Sequence, residues 1–143
     1  MDLQWIEETA QTINDRIADK LEKNNEVKLK NILLYLWQLP QNLLGLAVIA
    51  FTKAEKKGDI YHANGRRFGV SLGRYIIFRG FFNATDRKHE MGHQKQSLYL
   101  GWLYLLVIGL PSVTGNLLNR VIDFDYYKQP WEAWADRLGG VKR

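Results

Sequence analysis

Residues 89 to 93 read His-Glu-Met-Gly-His. On a helix, residues four apart share one face. His89 and His93 would then stand side by side, where one ion can take both imidazoles. Glu90 lies beside His89 and can reach a water on that ion. Zinc lowers the pKa of a bound water from about 16 to about 7. A carboxylate within reach can take the proton and pass it to a leaving amine. This chemistry is hydrolysis of a peptide bond, with His89 and His93 as zinc ligands and Glu90 as general base. Two of the three histidines in the chain fall in this pentapeptide. The plain alternative for the same residues is a pair of packed helix histidines without a metal.

A catalytic zinc takes a third protein ligand and keeps one position open. His62 is the only other histidine and lies in a polar stretch upstream. Downstream, Trp131-Glu132-Ala133-Trp134-Ala135-Asp136 places Glu132 and Asp136 one helical turn apart. Glu132 suits the third ligand. Asp136 suits the acceptor for the free ring N–H of a zinc-bound histidine, fixing its orientation. Two tryptophans among these acids argue against a fully solvated face. Asp123 and Asp125 are the substitutes for Glu132.

Taken together, His89-Glu90-x-x-His93 and Glu132-x-x-Ala135-Asp136 resemble the gluzincin metallopeptidases, whose pattern is HExxH on one helix and ExxxD on a later one. The ending Glu-Ala-Trp-Ala-Asp-Arg-Leu-Gly is most similar to the integral-membrane members, the CAAX prenyl protease and its bacterial relatives. The resemblance implies that His89, His93 and Glu132 bind zinc. It also implies that Glu90 is the base and that Asp136 orients a ligand histidine. It covers roughly residues 68 to 140. The chain is much smaller than the well-known members and has no room for their extra helices and lids. In gluzincins an edge strand beside the active helix pairs with extended substrate, and Val70, Ser71 and Leu72 fall in the right order for that.

The elements that must position these residues follow from periodicity and punctuation. Asn83 or Thr85 can cap a helix running from about Asp86 to Leu100, with Asp86 suiting its positive end. Residues 68 to 78 are β-branched and aromatic, which predicts a strand. Pro130 opens a last short helix that stops before Gly139–Gly140. An oxyanion needs a donor, and Tyr126, Tyr127 and His62 are the available types. Arg66 and Arg67 could hold an acidic substrate group, although a solvated surface fits them as well. Residues 53 to 67 read as a surface connection.

The rest of the chain is strongly patterned. Leu3, Ile6, Ala10, Ile13, Ile17 and Leu21 recur at helical spacing, which predicts an amphipathic helix over residues 2 to 24. It would lie on a core or on a membrane surface. Residues 31 to 51 and 96 to 119 carry no charge, and each is long enough to enter a membrane. Pro40, with Gln38, Gln41 and Asn42, interrupts the first; Gly101, Gly109 and Pro111 interrupt the second. Membrane association is therefore expected, with cytoplasmic placement as the alternative. The charged N-terminus is not that of a cleavable secretory signal.

The 143 residues point to one minimal domain. Its expected class is α+β and mostly α: an active-site helix, a small sheet or hairpin, and two hydrophobic helical segments. The absence of cysteine excludes disulfides, a thiolate zinc site and a cysteine nucleophile. The net charge of +5 is spread along the chain with no arginine-rich run, which argues against a nucleic-acid partner. A peptide or protein substrate is the expected partner. The competing function is a metal-binding or inactive membrane-associated interaction protein without turnover.

Overall fold

The computed structural model describes residues 3–122 and 125–142, with side chains from residue 8 onward. The chain divides into two compact units, one ending at Leu34 and one beginning at Tyr35. The first consists of helix α1 (Leu3–Trp37), whose last turn enters the second unit. Its apolar residues Ile13, Ile17, Leu21 and Val27 are exposed. Leu3 and Ile6 lie outside the residues whose side chains are described. The helix runs well past the expected end near residue 24, because no glycine or proline interrupts it before Pro40. At Pro40 the missing N–H and the ring clash with an earlier carbonyl end the run. A new helix, α2 (Leu39–Thr52), starts there with the proline in its first turn.

The remaining elements are β1 (Glu55–Lys57), β2 (Ile60–Ala63), β3 (Phe68–Leu72), β4 (Tyr75–Arg79), α3 (Ala84–Leu100), α4 (Leu110–Leu118) and α5 (Pro130–Gly139). The expected class, α+β and mostly helical, is what the protein has. The four strands form one mixed sheet in the order β1-β2-β4-β3. β1 and β3 pair antiparallel with their neighbours, while β2 and β4 run parallel with Tyr61 opposite Ile77.

Two parts of the sheet differ from the sequence expectation. Residues 68–78 form a hairpin rather than one strand, and 55–63 form a hairpin rather than a plain connection. Each turns on a two-residue loop whose first residue is a glycine with positive φ: Gly58 at 66° and Gly73 at 62°. Glycine at the first position of such a loop matches the type II′ turn, whose twist suits paired strands.

Helices cover both faces of the sheet. Gly45 of α2 lies against Leu72 and Tyr75, while Gly69 faces Phe78 and Glu90 of α3. Three consecutive residues of β4, Ile76, Ile77 and Phe78, are therefore all buried. Ile60, Ile76 and Phe78 form the core, and the ring of Phe82 stacks on Phe78 at 4.3 Å.

The polar residues around Pro40 are buried and bonded. Gln41 Nε2 donates to Ser97 Oγ at 3.0 Å and to the Gly101 carbonyl at 2.8 Å. Asn42 Nδ2 donates to the Tyr35 carbonyl, and Asn42 Oδ1 accepts from Arg74 N, each at 2.9 Å. Ser97 Oγ donates to Gln38 Oε1 at 2.9 Å. These partners offset most of the cost of burial, although Gln41 Oε1 has none. α3 stops at Gly101, which has a φ of 52°. The chain then bends by 119° between Ala84–Leu103 and Leu105–Leu118, and the second of these begins with a π-helical turn at Leu105–Gly109. Of the expected interruptions, the one at Gly101 ends α3, whereas the chain stays helical through Gly109 and Pro111. No single described helix is long and apolar enough to cross a membrane, although two bent helix pairs reach the length and composition.

Candidate metal centre

α3 carries His89, Glu90 and His93, and its start is well fixed. Asn83 Oδ1 accepts from Asp86 N at 2.9 Å, and Asp86 Oδ2 accepts from Asn83 N at 3.0 Å. This reciprocal cap satisfies two of the helix's orphan donors. Asp86 also accepts from Arg67 Nη2 at 2.7 Å. Arg67 therefore secures the helix start, and its guanidinium stands over Phe81.

α5 brings Glu132 and Asp136 to the histidines, and glycines set how near it comes. A Cβ on Gly92 would overlap the carbonyl of Ala135, and one on Gly139 would overlap the carbonyl of Lys88. The two backbones thus touch at both ends of the shared face. Lys95 Nζ donates to the Leu138 carbonyl at 2.6 Å and adds a polar tie on the outside.

Three ligand atoms converge. His89 Nε2 lies 3.0 Å from Glu132 Oε2, His93 Nε2 lies 3.2 Å from it, and the two Nε2 atoms are 3.1 Å apart. All three residues are buried. The other ring nitrogens are engaged: His89 Nδ1 with Asp136 Oδ1 and His93 Nδ1 with Gln96 Oε1, each at 2.7 Å. Both partners offer oxygens that accept, so each neutral ring carries its proton on Nδ1 and leaves Nε2 bare. Two bare nitrogens and one carboxylate oxygen then face a common point. One proton can bridge a single pair of these atoms, whereas a metal ion satisfies all three. Zinc–ligand bonds of about 2.0–2.2 Å imply tetrahedral edges of roughly 3.3–3.6 Å, within a few tenths of the separations here. The donor set of two imidazoles and one carboxylate fits zinc. Among the described residues, this group can hold a metal ion.

The second oxygen of Glu132 is held too. Ser112 Oγ on α4 donates to Glu132 Oε1 at 2.5 Å, and the Tyr126 hydroxyl also bonds to Glu132. Burial alone would raise the pKa of Glu132. The imidazoles of His89 and His93 beside its other oxygen outweigh it and hold the carboxyl far below the usual range. Burial pulls His93 down, but the bond to Glu132 and the charge of Glu90 carry it above its ordinary value.

Glu90 differs from Glu132. Burial dominates and raises its pKa, although both histidines pull the other way. Its Oε2 is buried without a hydrogen-bond partner, and its Oε1 faces the bare α-carbon of Gly69. A buried carboxylate oxygen lacking a partner suits an acceptor for a water proton.

β3 is an edge strand beside α3, as the sequence suggests, but its open stretch is displaced. The two-residue turn after Leu72 makes Leu72 and Val70 the residues bonded to β4, so Ser71 and Gly69 point their main-chain groups outward. Ser71 is buried, and its carbonyl accepts from Tyr104 Oη at 3.0 Å. The expected pairing stretch of Val70, Ser71 and Leu72 is therefore closed. The accessible main-chain edge is at Gly69, next to Glu90.

Other sequence candidates fall elsewhere. His62 sits in β2, with Nε2 2.8 Å from the Gly80 carbonyl and its ring near Phe82, away from the metal group. Asp125 pairs with Lys128 at 2.6 Å and does not join the site. Asp123 lies outside the described residues. The Tyr127 ring stands edge-on to His89 at 5.5 Å. Sequence reasoning missed Gln96 and Ser112. Gln96 was findable, since it lies one turn beyond His93 on the same helical face. Ser112 arrives only through the bend after α3, which leaves no local signal.

No family model matches the chain, and no curated protein or solved structure matches it.

Proposed function

We propose that the protein is a zinc-dependent endopeptidase of gluzincin type that acts on peptide or protein substrates. The observation carrying this reading is the convergence of His89 Nε2, His93 Nε2 and Glu132 Oε2 within 3.2 Å of one another. Beside them, the Glu90 carboxylate has one oxygen with no partner. His89, His93 and Glu132 would hold the metal. Zinc would supply Lewis-acid polarisation of the scissile carbonyl and a water acidic enough to react near neutral pH. Glu90 accepts the proton of the attacking water and returns it to the departing amine. Asp136 keeps the bare nitrogen of His89 aimed at the centre. Of the two tyrosines expected as oxyanion donors, Tyr126 is bound to Glu132, and Tyr127 stands against His89. Both stand at the centre, and either is a donor to test. Extended substrate would meet the sheet edge at Gly69.

Replacing Glu90 by Gln tests this. The variant keeps one equivalent of zinc, and its turnover in a peptide-library digest falls about 10²–10⁴-fold. A parent protein that binds zinc and cleaves no library member is instead a metal-binding protein without turnover.

The same reading places the protein at a membrane surface. Leu106, Leu110, Val113, Leu117 and Val121 recur at helical spacing and are all more than half exposed. Trp102 and Leu103, before the bend, are exposed as well, and Lys95 and Arg120 bound the uncharged stretch in sequence. A charge-free apolar face flanked by cations suits the headgroup boundary of an anionic bilayer. Since Ser112 on α4 also bonds Glu132, the centre would lie just above that boundary, in reach of water.

A further inference from the structure

We infer that Gln96 is the residue that sets the orientation and basicity of His93 toward the metal. This inference rests on the zinc reading above.

The argument begins with a carbonyl. Gln96 Nε2 lies 2.8 Å from the main-chain oxygen of Trp131. A carbonyl can only accept, so the amide must present its NH2 there and its Oε1 to His93. That oxygen sits 2.7 Å from His93 Nδ1. An amide oxygen also only accepts, so Nδ1 must carry the proton. The α5 backbone thereby fixes the His93 tautomer through two bonds, and its Nε2 remains bare for the ion. Gln96 is wholly buried, so water cannot replace either contact.

The two histidines are oriented by different chemistry. His89 leans on the Asp136 carboxylate, whereas His93 leans on a neutral amide. A carboxylate partner makes a ligand imidazole more basic than an amide does. The centre already holds Glu90, Glu132 and Asp136, all buried. A neutral group at 96 orients the ring without adding a fourth buried anion, and it leaves the metal more electrophilic.

Gln96→Met keeps the length of the side chain and removes the acceptor. Gln96→Glu keeps an acceptor but loses the donor to Trp131. Zinc affinity is read by competition with a chromophoric chelator. The Nδ1 proton of His93 is read by NMR on zinc-loaded protein with labelled histidine. The expected result is about 10–100-fold weaker zinc binding for Gln96→Met, with binding by Gln96→Glu as tight as the parent or tighter. The His93 Nδ1 proton should exchange slowly in the parent. If both variants weaken zinc equally, the role is only to hold α5 through Trp131, and the inference is overturned. Should Gln96→Met fail to fold, a parent whose His93 Nδ1 proton is missing from the spectrum overturns it alone. A parent that binds no zinc defeats the functional reading itself, which is a separate outcome.

Discussion

The α-carbon of Gly92 lies against the carbonyl of Ala135 so closely that no side chain fits between them. Gly92 is the fourth residue of the His-Glu-Met-Gly-His pentapeptide, and Ala135 stands between Glu132 and Asp136. The contact that admits α5 to α3 therefore lies within the two motifs themselves. Gly92→Ala should cost about 3 kcal/mol or more, because the added methyl meets backbone rather than a movable side chain. It should also abolish stoichiometric zinc. Chemical denaturation and metal analysis check both effects, with Met91→Ala on the exposed side of α3 as a near-neutral control.

Ser112 reaches Glu132 from a helix that carries no ligand. Removing its hydroxyl leaves Tyr126 as the remaining donor from outside the histidine pair and loosens the carboxylate. Ser112→Ala should weaken zinc binding about 10-fold or more, with little change in thermal stability of the zinc-free chain. Chelator competition beside a melting curve separates the two.

The pH dependence of the metal-free protein has a defined sign. Glu90 and His93 both have raised pKa values in the folded state. Each then binds its proton more tightly folded than unfolded. Their stabilisation is complete in acid and is lost as pH rises. Loss begins above the ordinary carboxylate value of 4.5 for Glu90 and above 6.5 for His93. Glu132 acts in the opposite sense, and its contribution is lost as pH falls below 4.5 through its depressed folded value. The metal-free melting temperature should therefore fall between about pH 5 and about pH 8. The increment added by zinc should grow over the same range, since its ligands must be deprotonated. Melting curves in chelator and in zinc test this. An increment that shrinks with rising pH contradicts it.

The exposed stripe on the bent segment makes a separate prediction. Leu110→Glu with Leu117→Glu should abolish flotation with anionic phospholipid vesicles and leave zinc content unchanged. If the double variant floats as the parent does, the apolar stripe is not the membrane face.

Much of this was legible in the sequence, and what was missed has physical reasons. The cap at Asn83, the break after Leu100 and the start of α5 at Pro130 all carry local signals. His89, His93, Glu132 and Asp136 were readable because both pairs sit at helical spacing. The hairpin over residues 55–63 was missed because its strands are short and rich in lysine, and only the Gly58-Asp59 turn marks it. The helix before Pro40 was read too short because its periodic apolar face fades after Leu21 while its backbone meets no breaker. Asp125 was open as a ligand because spacing cannot show that it turns to Lys128. The closed edge at Ser71 depends on Tyr104, which arrives from a later element.

The central claim is that His89, His93 and Glu132 share one ion, and zinc stoichiometry tests it most directly. Protein purified without chelator and dialysed against trace zinc should contain about one equivalent, while His93→Ala and Glu132→Ala should each retain about a tenth or less. A parent with no zinc, or a Glu132→Ala variant that keeps its full equivalent, contradicts the account.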